Sequence, residues 1–506
     1  MDAAGEDAAY SQSIPAEMSA DAYRVVVVGA GLAGVTTANA LLASGRFRED
    51  ELCVLEAQSR IGGRIHTRSF SDELPVKVEA GAAWIHGTEG NPMVALAREF
   101  GIELKEISAR NPWLHPHSCP GFVIYDGSRR LSEEEVEETW RWQELLLRKL
   151  QELALSGEVD GKALDVTVNQ LLAGDAELRD VLTSAANARE RLALCLHLVE
   201  TWMGSTSNEM QIDAFGEIDL MGDDPGAHCI VPGGMECFIE HLSAPVKSVI
   251  RTGACVVSIN YGGMKGVVIE CADGSRVKAK HVVVTSSLGF LKSGKLHFEP
   301  ELPLRKAEVI GRSQMGQCMK VMVQFAEVFW PKDASFITQI NGPKNDHEQR
   351  NYFPVLFSYY AAKGAAILEG DLIGEKAQLI SLSYSDNEIA AALFLQLQDM
   401  YGSDIPKPVG YFITRWDQDE WAQGAYSSVT VESTYEDPDL LRNSVRNCLF
   451  FAGEATNYDY QGALQAAYLS GTGYIGCEDV SSTNHDYIGS EAAAKIITKT
   501  TTTSIE

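Results

Sequence analysis

Three glycines, a glutamate, an arginine, an imidazole and a lysine are the residues of this 506-residue chain whose types and spacing suit chemistry. The stretch YRVVVVGAGLAGVTTANALLASG sets Gly29, Gly31 and Gly34 as G-x-G-x-x-G, behind four valines and ahead of a helix-like segment. In that setting the first glycine permits a tight turn and the second lets backbone approach a pyrophosphate. The third lets helix and strand pack closely, and the helix N-terminus offers unpaired N–H groups to phosphate. A second apolar strand, ELCVLEA, ends in Glu56, where a carboxylate accepts hydrogen bonds from ribose hydroxyls. Its plain alternative is a surface acid at a strand end. Just beyond, IGGRIHT places Arg64 beside the flexible pair Gly62-Gly63, a guanidinium suited to holding a pyrophosphate. This is the signature of a dinucleotide site.

Two further side chains stand in apolar surroundings. In VEAGAAWIHGTEGNP, His86 sits between Ile85 and Gly87. An imidazole there is either a satisfied structural group or a neutral proton acceptor, its unperturbed pKa being ~6.5. In MGQCMKVMVQF, Lys320 lies on an apolar strand, where an ammonium is costly without a partner or a task. An edge-strand lysine facing solvent is the alternative.

The elements that must position these groups follow from periodicity and punctuation. The valine run reads as a buried parallel strand. Residues 449–452 read as another strand, entering Gly453-Glu454 and a small-residue helix. Residues 102–229 are helix-rich and include the amphipathic LSEEEVEETWRWQELLLRKLQEL, read as a solvated outer face. VPGGMECFIEHLSAP gives a Gly-Gly turn and helix, followed by strands ACVVSINY, GVVIEC and RVKAKHVVVTSS, the last two joined through the hairpin signal CADGS. Val256 falls on the adenine side of the site. Between 301 and 440, MKVMVQF, PVLFSYY, QLISLSY and VGYFITRW read as strands of a second sheet. The expected fold is α/β. A Rossmann-type dinucleotide domain (23–101, 230–300 and 441–498) is interleaved with an α+β substrate domain (102–229 and 301–440). Residues 1–22 read as a disordered acidic leader, 472–490 as an inserted surface loop and 499–506 as a polar tail.

Composition narrows the classes. Apolar content of 45% and 22% charged residues describe an ordinary globular protein, with no apolar run of membrane-spanning length. Ten cysteines are scattered without a C-x-x-C pair, favouring reduced thiols in a cytoplasmic setting over disulfides or a metal site. The ending is not the S-K-L address of a peroxisomal protein. A net charge of −28 repels phosphate backbones, which argues against nucleic acid, and it attracts polycations or simply keeps the chain soluble. A monomer without metal or membrane is the expected state.

With VVVVGAGLAG, LEAQSRIGGRIHT, EAGAAWIHG, VPGGM, VVVTSSLGFLKSGKLHFEPELP, MGQCMKVMVQF and FFAGEAT in order, residues 23–500 resemble the flavin-containing polyamine oxidases of the amine oxidase superfamily. The resemblance implies FAD, with Glu454 close to it and Gly81, Ala82 and Trp84 passing beside the flavin. It implies that His86 faces a substrate tunnel, that Lys320 holds a water at the flavin N5, and that Tyr426 forms one aromatic wall. Trp421 approaches from the cofactor side. The implied reaction removes hydride from a carbon next to a neutral secondary amine of spermine, spermidine or an N1-acetylated polyamine. Aldehyde, a shorter amine and hydrogen peroxide result, with oxygen as acceptor. The chain departs from the family at Ala463 and Gln465-Ala466, where relatives carry a threonine or tyrosine and then His-Gly, so a second aromatic wall falls to Tyr460 or Tyr468. Monoamine oxidase, L-amino acid oxidase, histone demethylase and an inactive flavin-binding scaffold remain the competing readings.

Overall fold

The structure, a computed structural model, describes residues 23–71, 75–157, 162–212, 225–263, 266–341, 353–434 and 436–473. The expected leader and tail, and the inserted loop beyond residue 473, lie outside these. The strand Tyr23–Val28 is central to a sheet of eight described strands. It pairs in parallel with Leu52–Leu55 on one side and with Arg276–Val284 on the other. Leu449–Phe451 runs parallel along the far edge of Val282–Val284. The hairpin joining Val267–Cys271 to Arg276–Val284 forms at the CADGS signal.

Both faces of this sheet are covered, which is why the last four residues of its first strand are all valine. Val25 and Val27 pack with the helix Leu32–Ala43 and with Phe238 and Ile239 of the helix Glu236–Ser243. Val26 and Val28 pack with Val256, Ile269 and Leu449 on the opposite face. All four valines are at most 6% exposed. At ~1.5–3 kcal/mol for each fully buried side chain, this strand anchors the domain.

A second sheet orders its described strands as Pro408–Ile413, Cys318–Phe325, Ile367–Ile373, Val355–Ser358, Phe336–Ile340, Phe122–Asp126 and Arg129–Arg130. The helix Asp386–Tyr401 covers it, and their shared core includes Val321, Val323, Leu368 and Leu393. The helix Glu133–Ser156 opens on a capping box between Ser132 and Glu135. Its charged face meets solvent, while Trp140, Trp142, Leu146 and Leu150 are buried. Arg191, 1% exposed, holds this helix to Ala188–Met203 through Glu138, Thr139 and the Trp142 ring.

Two strand readings need correction. QLISLSY is not a strand: its residues continue the helix Gly374–Ser383, burying Ala377, Ile380 and Ser381 at helical spacing and exposing Leu379 and Leu382. A short apolar run fits either period, and the tertiary contacts decide. PVLFSYY is strand only over Val355–Ser358 before it turns into the helix Tyr359–Lys363.

Candidate active site

The parallel strands of the first sheet deliver their C-terminal ends to one cavity of about 890 Å³, at the upper end of the ~300–1,000 Å³ common for ligand sites. Gly29, Gly31, Glu56, Gly63, Arg64, Thr285 and Glu454 line one part of it. Gly29 turns with φ +103°, and a Cβ on Gly34 would stand 2.0 Å from the Gly29 carbonyl oxygen, so both positions demand glycine. A Cβ on Gly31 would meet no protein atom closer than 3.9 Å, leaving its backbone open to the cavity. Glu56 is 7% exposed, and its oxygens accept from the N–H groups of Ala30 at 2.7 Å and Gln58 at 2.8 Å. Burial raises its pKa, and these two N–H groups pull it back. Each oxygen keeps a lone pair for a ribose hydroxyl. The glycine turn, the helix N-terminus and this acid fit a dinucleotide.

Arg64 faces the same cavity with its charge already engaged. It pairs with Glu454 at 2.7 Å and donates to the Ala425 carbonyl at 3.1 Å. Glu454 accepts further from Ser427 and from the Gly462 N–H, so it joins the two ends of the chain at the cavity floor. Gly81 is fixed by the Arg64 carbonyl, 1.8 Å from where a Cβ would lie. Ala82, Trp84, Val256 and Trp421 all line the cavity. Trp421 packs beside Val256 in the core of the first sheet, which places it on the dinucleotide side.

Lys320 is no edge lysine. Its strand lies between Ile367–Ile373 and Pro408–Ile413, and it is 9% exposed, toward the cavity. Its Nζ pairs with Glu369 Oε1 at 3.3 Å, and Glu369 Oε2 accepts from Tyr359 at 2.9 Å. Burial alone would lower the lysine pKa. The carboxylates of Glu369 and Asp371 outweigh it, and the pKa is raised. Asp371 is the register partner of Lys320 in the antiparallel pair and also lines the cavity. Burial, reinforced by Glu369 and opposed by Lys320, pushes Asp371 up to about 7. The sequence reading missed both acids, because nothing local marked ILEGDLI as a strand.

His86 stands in an aromatic enclosure. Its ring meets Trp202 edge-on at 4.8 Å and Trp113 at 5.8 Å, and Trp84 meets Trp113 at 5.1 Å. Its Nδ1 lies 3.3 Å from Nδ1 of the fully buried His228, a partner the sequence did not announce. One ring must donate and the other accept, and Nε2 is the His86 nitrogen left for a ligand. Burial first, then His228, holds the His86 pKa well below its ordinary value, so the ring is neutral. Tyr426 lines the cavity against Gly204, where a Cβ would collide with its ring at 2.2 Å. Of the two candidates for a second wall, Tyr460 lines the cavity together with Tyr458. Tyr468 does not serve: it packs against the core beneath the helix Leu32–Ala43.

No helix among the described residues is long and apolar enough to cross a membrane. Residues 32–473 match the family described as flavin containing amine oxidoreductase. Among curated proteins, lysine-specific histone demethylase 1 homolog 1 of Arabidopsis thaliana is 32% identical over 88% of this chain and 51% of its own length. Polyamine oxidase 2 of the same plant is 29% identical over 90% of this chain and 87% of its own. The chain thus spans about half the length of the demethylase homologue. Wild-type putrescine oxidase bound to putrescine shares the fold with a TM-score of 0.70 at 18% identity, covering 94% of this chain and 99% of that one. With a dinucleotide cradle at one end of its cavity and the family profile across most of its length, the chain belongs to the flavin containing amine oxidoreductases, an α/β fold with FAD as cofactor.

Proposed function

We propose that this amine oxidase acts on polyamines, oxidising a carbon next to a secondary amine to an imine, which water hydrolyses to an aldehyde and a shorter amine. FAD, when bound, accepts the hydride and lets oxygen take the electrons as hydrogen peroxide. The residues of the chain do the rest. The observation that carries the reading is the neutral imidazole of His86 against Trp113 and Trp202, in a cavity that Trp84 and Tyr426 also line. Aromatic faces pack methylene stems and attract alkylammonium groups, while a neutral ring nitrogen accepts the proton that a reacting amine must lose. Lys320, held in place by Glu369, presents an ammonium to the same space, where it orients a water or a polar atom by donation. The net charge of −28 steers polycations toward the molecule.

A second reading has its own support. Several relatives near 30% identity are named lysine-specific histone demethylases, and an N-methylated lysine carries the same carbon–nitrogen bond to be oxidised. Anaerobic mixing of the holoprotein with spermine, spermidine, N1-acetylspermine, tyramine, amino acids and a methyl-lysine peptide separates the cases. Rapid loss of flavin absorbance with a polyamine, and peroxide on readmitting air, is the expected result. Bleaching by the peptide alone would replace the polyamine reading with the demethylase one.

A further inference from the structure

Behind the His86 ring stands a second imidazole, and the backbone puts it there. The antiparallel bridge between Ile85 and Cys229 is closed by two hydrogen bonds, Ile85 N–H to the Cys229 carbonyl at 2.8 Å and the reverse at 3.0 Å. One residue further along, antiparallel register sets His86 directly opposite His228, at a position where facing side chains approach closest. The strand His228–Ile230 is also tied to Lys105–Ser108, which fixes the second ring in place. Trp202 packs against both rings, its centroid 4.8 Å from that of His86 and 6.2 Å from that of His228. His86 lines the cavity, whereas His228 is fully buried behind it. The His228 Nδ1, 3.3 Å away, is the hydrogen-bond partner of the His86 ring among the described residues.

We propose that His228 is the positioning residue of His86: it accepts the Nδ1 proton and so leaves the His86 Nε2 lone pair for the amine. The proposal rests on the reading of the chain as an oxidase in which His86 takes the amine proton, and it adds a residue to that step. Two neutral rings with one proton each share a hydrogen bond in only two ways. If His228 donates, His86 carries its proton at Nε2 and meets an incoming ammonium donor against donor. If His228 accepts, Nε2 is an acceptor. The ammonium N–H bond then breaks, its electron pair stays on the amine nitrogen, and the proton forms a bond at Nε2. The resulting imidazolium still donates Nδ1–H to the His228 lone pair, a hydrogen bond strengthened by the charge. A carboxylate in the place of His228 would also hold the tautomer, but it would keep His86 protonated before the amine arrived. An imidazole orients the base and leaves it neutral, as burial and His228 together do here.

The test reads the ring before the rate. Long-range proton–nitrogen correlation spectra of holoprotein carrying isotope-labelled histidine tell a protonated ring nitrogen from one with a lone pair, and loss of signals in His86→Ala assigns them. Wild type should show His86 protonated at Nδ1. In His228→Leu, which fills the space without a hydrogen-bonding atom, the proton should move to Nε2, the form a free histidine side chain favours. In His228→Asn, whose amide oxygen stands where the His228 Nδ1 was, it should stay at Nδ1. On anaerobic mixing with spermine, flavin reduction at saturating amine should be ~10–100-fold slower in His228→Leu, with half-saturation within ~3-fold of wild type. His228→Asn should recover most of that rate. In a His86→Ala background, His228→Leu should slow reduction by less than ~2-fold further, because residues acting as one unit do not add. His228→Ala is read in the same way should His228→Leu lose its flavin. A wild-type His86 protonated at Nε2, a His228→Asn as slow as His228→Leu, or losses that multiply in the double variant would overturn the proposal. If no polyamine reduces the flavin but the Nδ1 proton depends on His228, the polyamine reading fails and the positioned pair stands. If spermine is oxidised and His86 is protonated at Nε2, the positioning role fails alone.

Discussion

Replacing Lys320 by methionine exchanges an ammonium for an apolar chain of similar length and leaves Glu369, 4% exposed, without its cation. Removing one partner of a buried pair costs ~3–5 kcal/mol, because the other charge is left uncompensated in a place that water does not reach. At ~2–4 °C per kcal/mol for a domain of ~150–250 residues, Lys320→Met should melt ~6–20 °C below wild type. Scanning calorimetry of the two proteins in one buffer measures this. Lys320→Met with Glu369→Gln removes both charges while keeping an acceptor for Tyr359, and should recover most of the loss without recovering turnover. A single variant as stable as wild type, or a double variant no more stable than the single one, would refute the buried pair.

Three other perturbations have equally definite outcomes. Gly34→Ala sets a Cβ 2.0 Å from the Gly29 carbonyl oxygen, so the purified protein should be nearly colourless, as read by its flavin-to-protein absorbance ratio. Glu56→Gln turns one of two acceptors into an N–H that faces the backbone N–H of Ala30 or Gln58. FAD affinity of the apoprotein, followed by quenching of flavin fluorescence, should weaken ~10–100-fold. His86→Ala should lower kcat/KM by ~10²–10⁴-fold on the best amine of the panel. Because burial depresses the His86 pKa, the ring protonates only in acid, and the wild-type kcat/KM profile should show no step between ~pH 6 and 7 that the variant lacks.

The sequence was most legible where the constraint is local and steric. The G-x-G-x-x-G turn is dictated by atoms a few residues apart, and Gly34 against the Gly29 carbonyl is such a constraint. Glu56 was legible for a related reason, since a fixed βαβ path sets its distance from the turn. His228, Trp113 and Trp202 come to His86 from distant segments, and no short-range pattern announces them. The strand Ile367–Ile373 was missed because its centre, Glu369-Gly370-Asp371, reads as a loop by strand propensity. The fold explains each anomaly. Gly370 is small because a Cβ would meet Phe353 at 2.8 Å and Leu356 at 3.0 Å. The two acids share a face because Lys320 stands opposite them. A lone lysine in an apolar strand and a pair of acids in the otherwise apolar segment Ile367–Ile373 are each implausible alone. Read together they are complementary, since one buried cation calls for anions on the neighbouring strand.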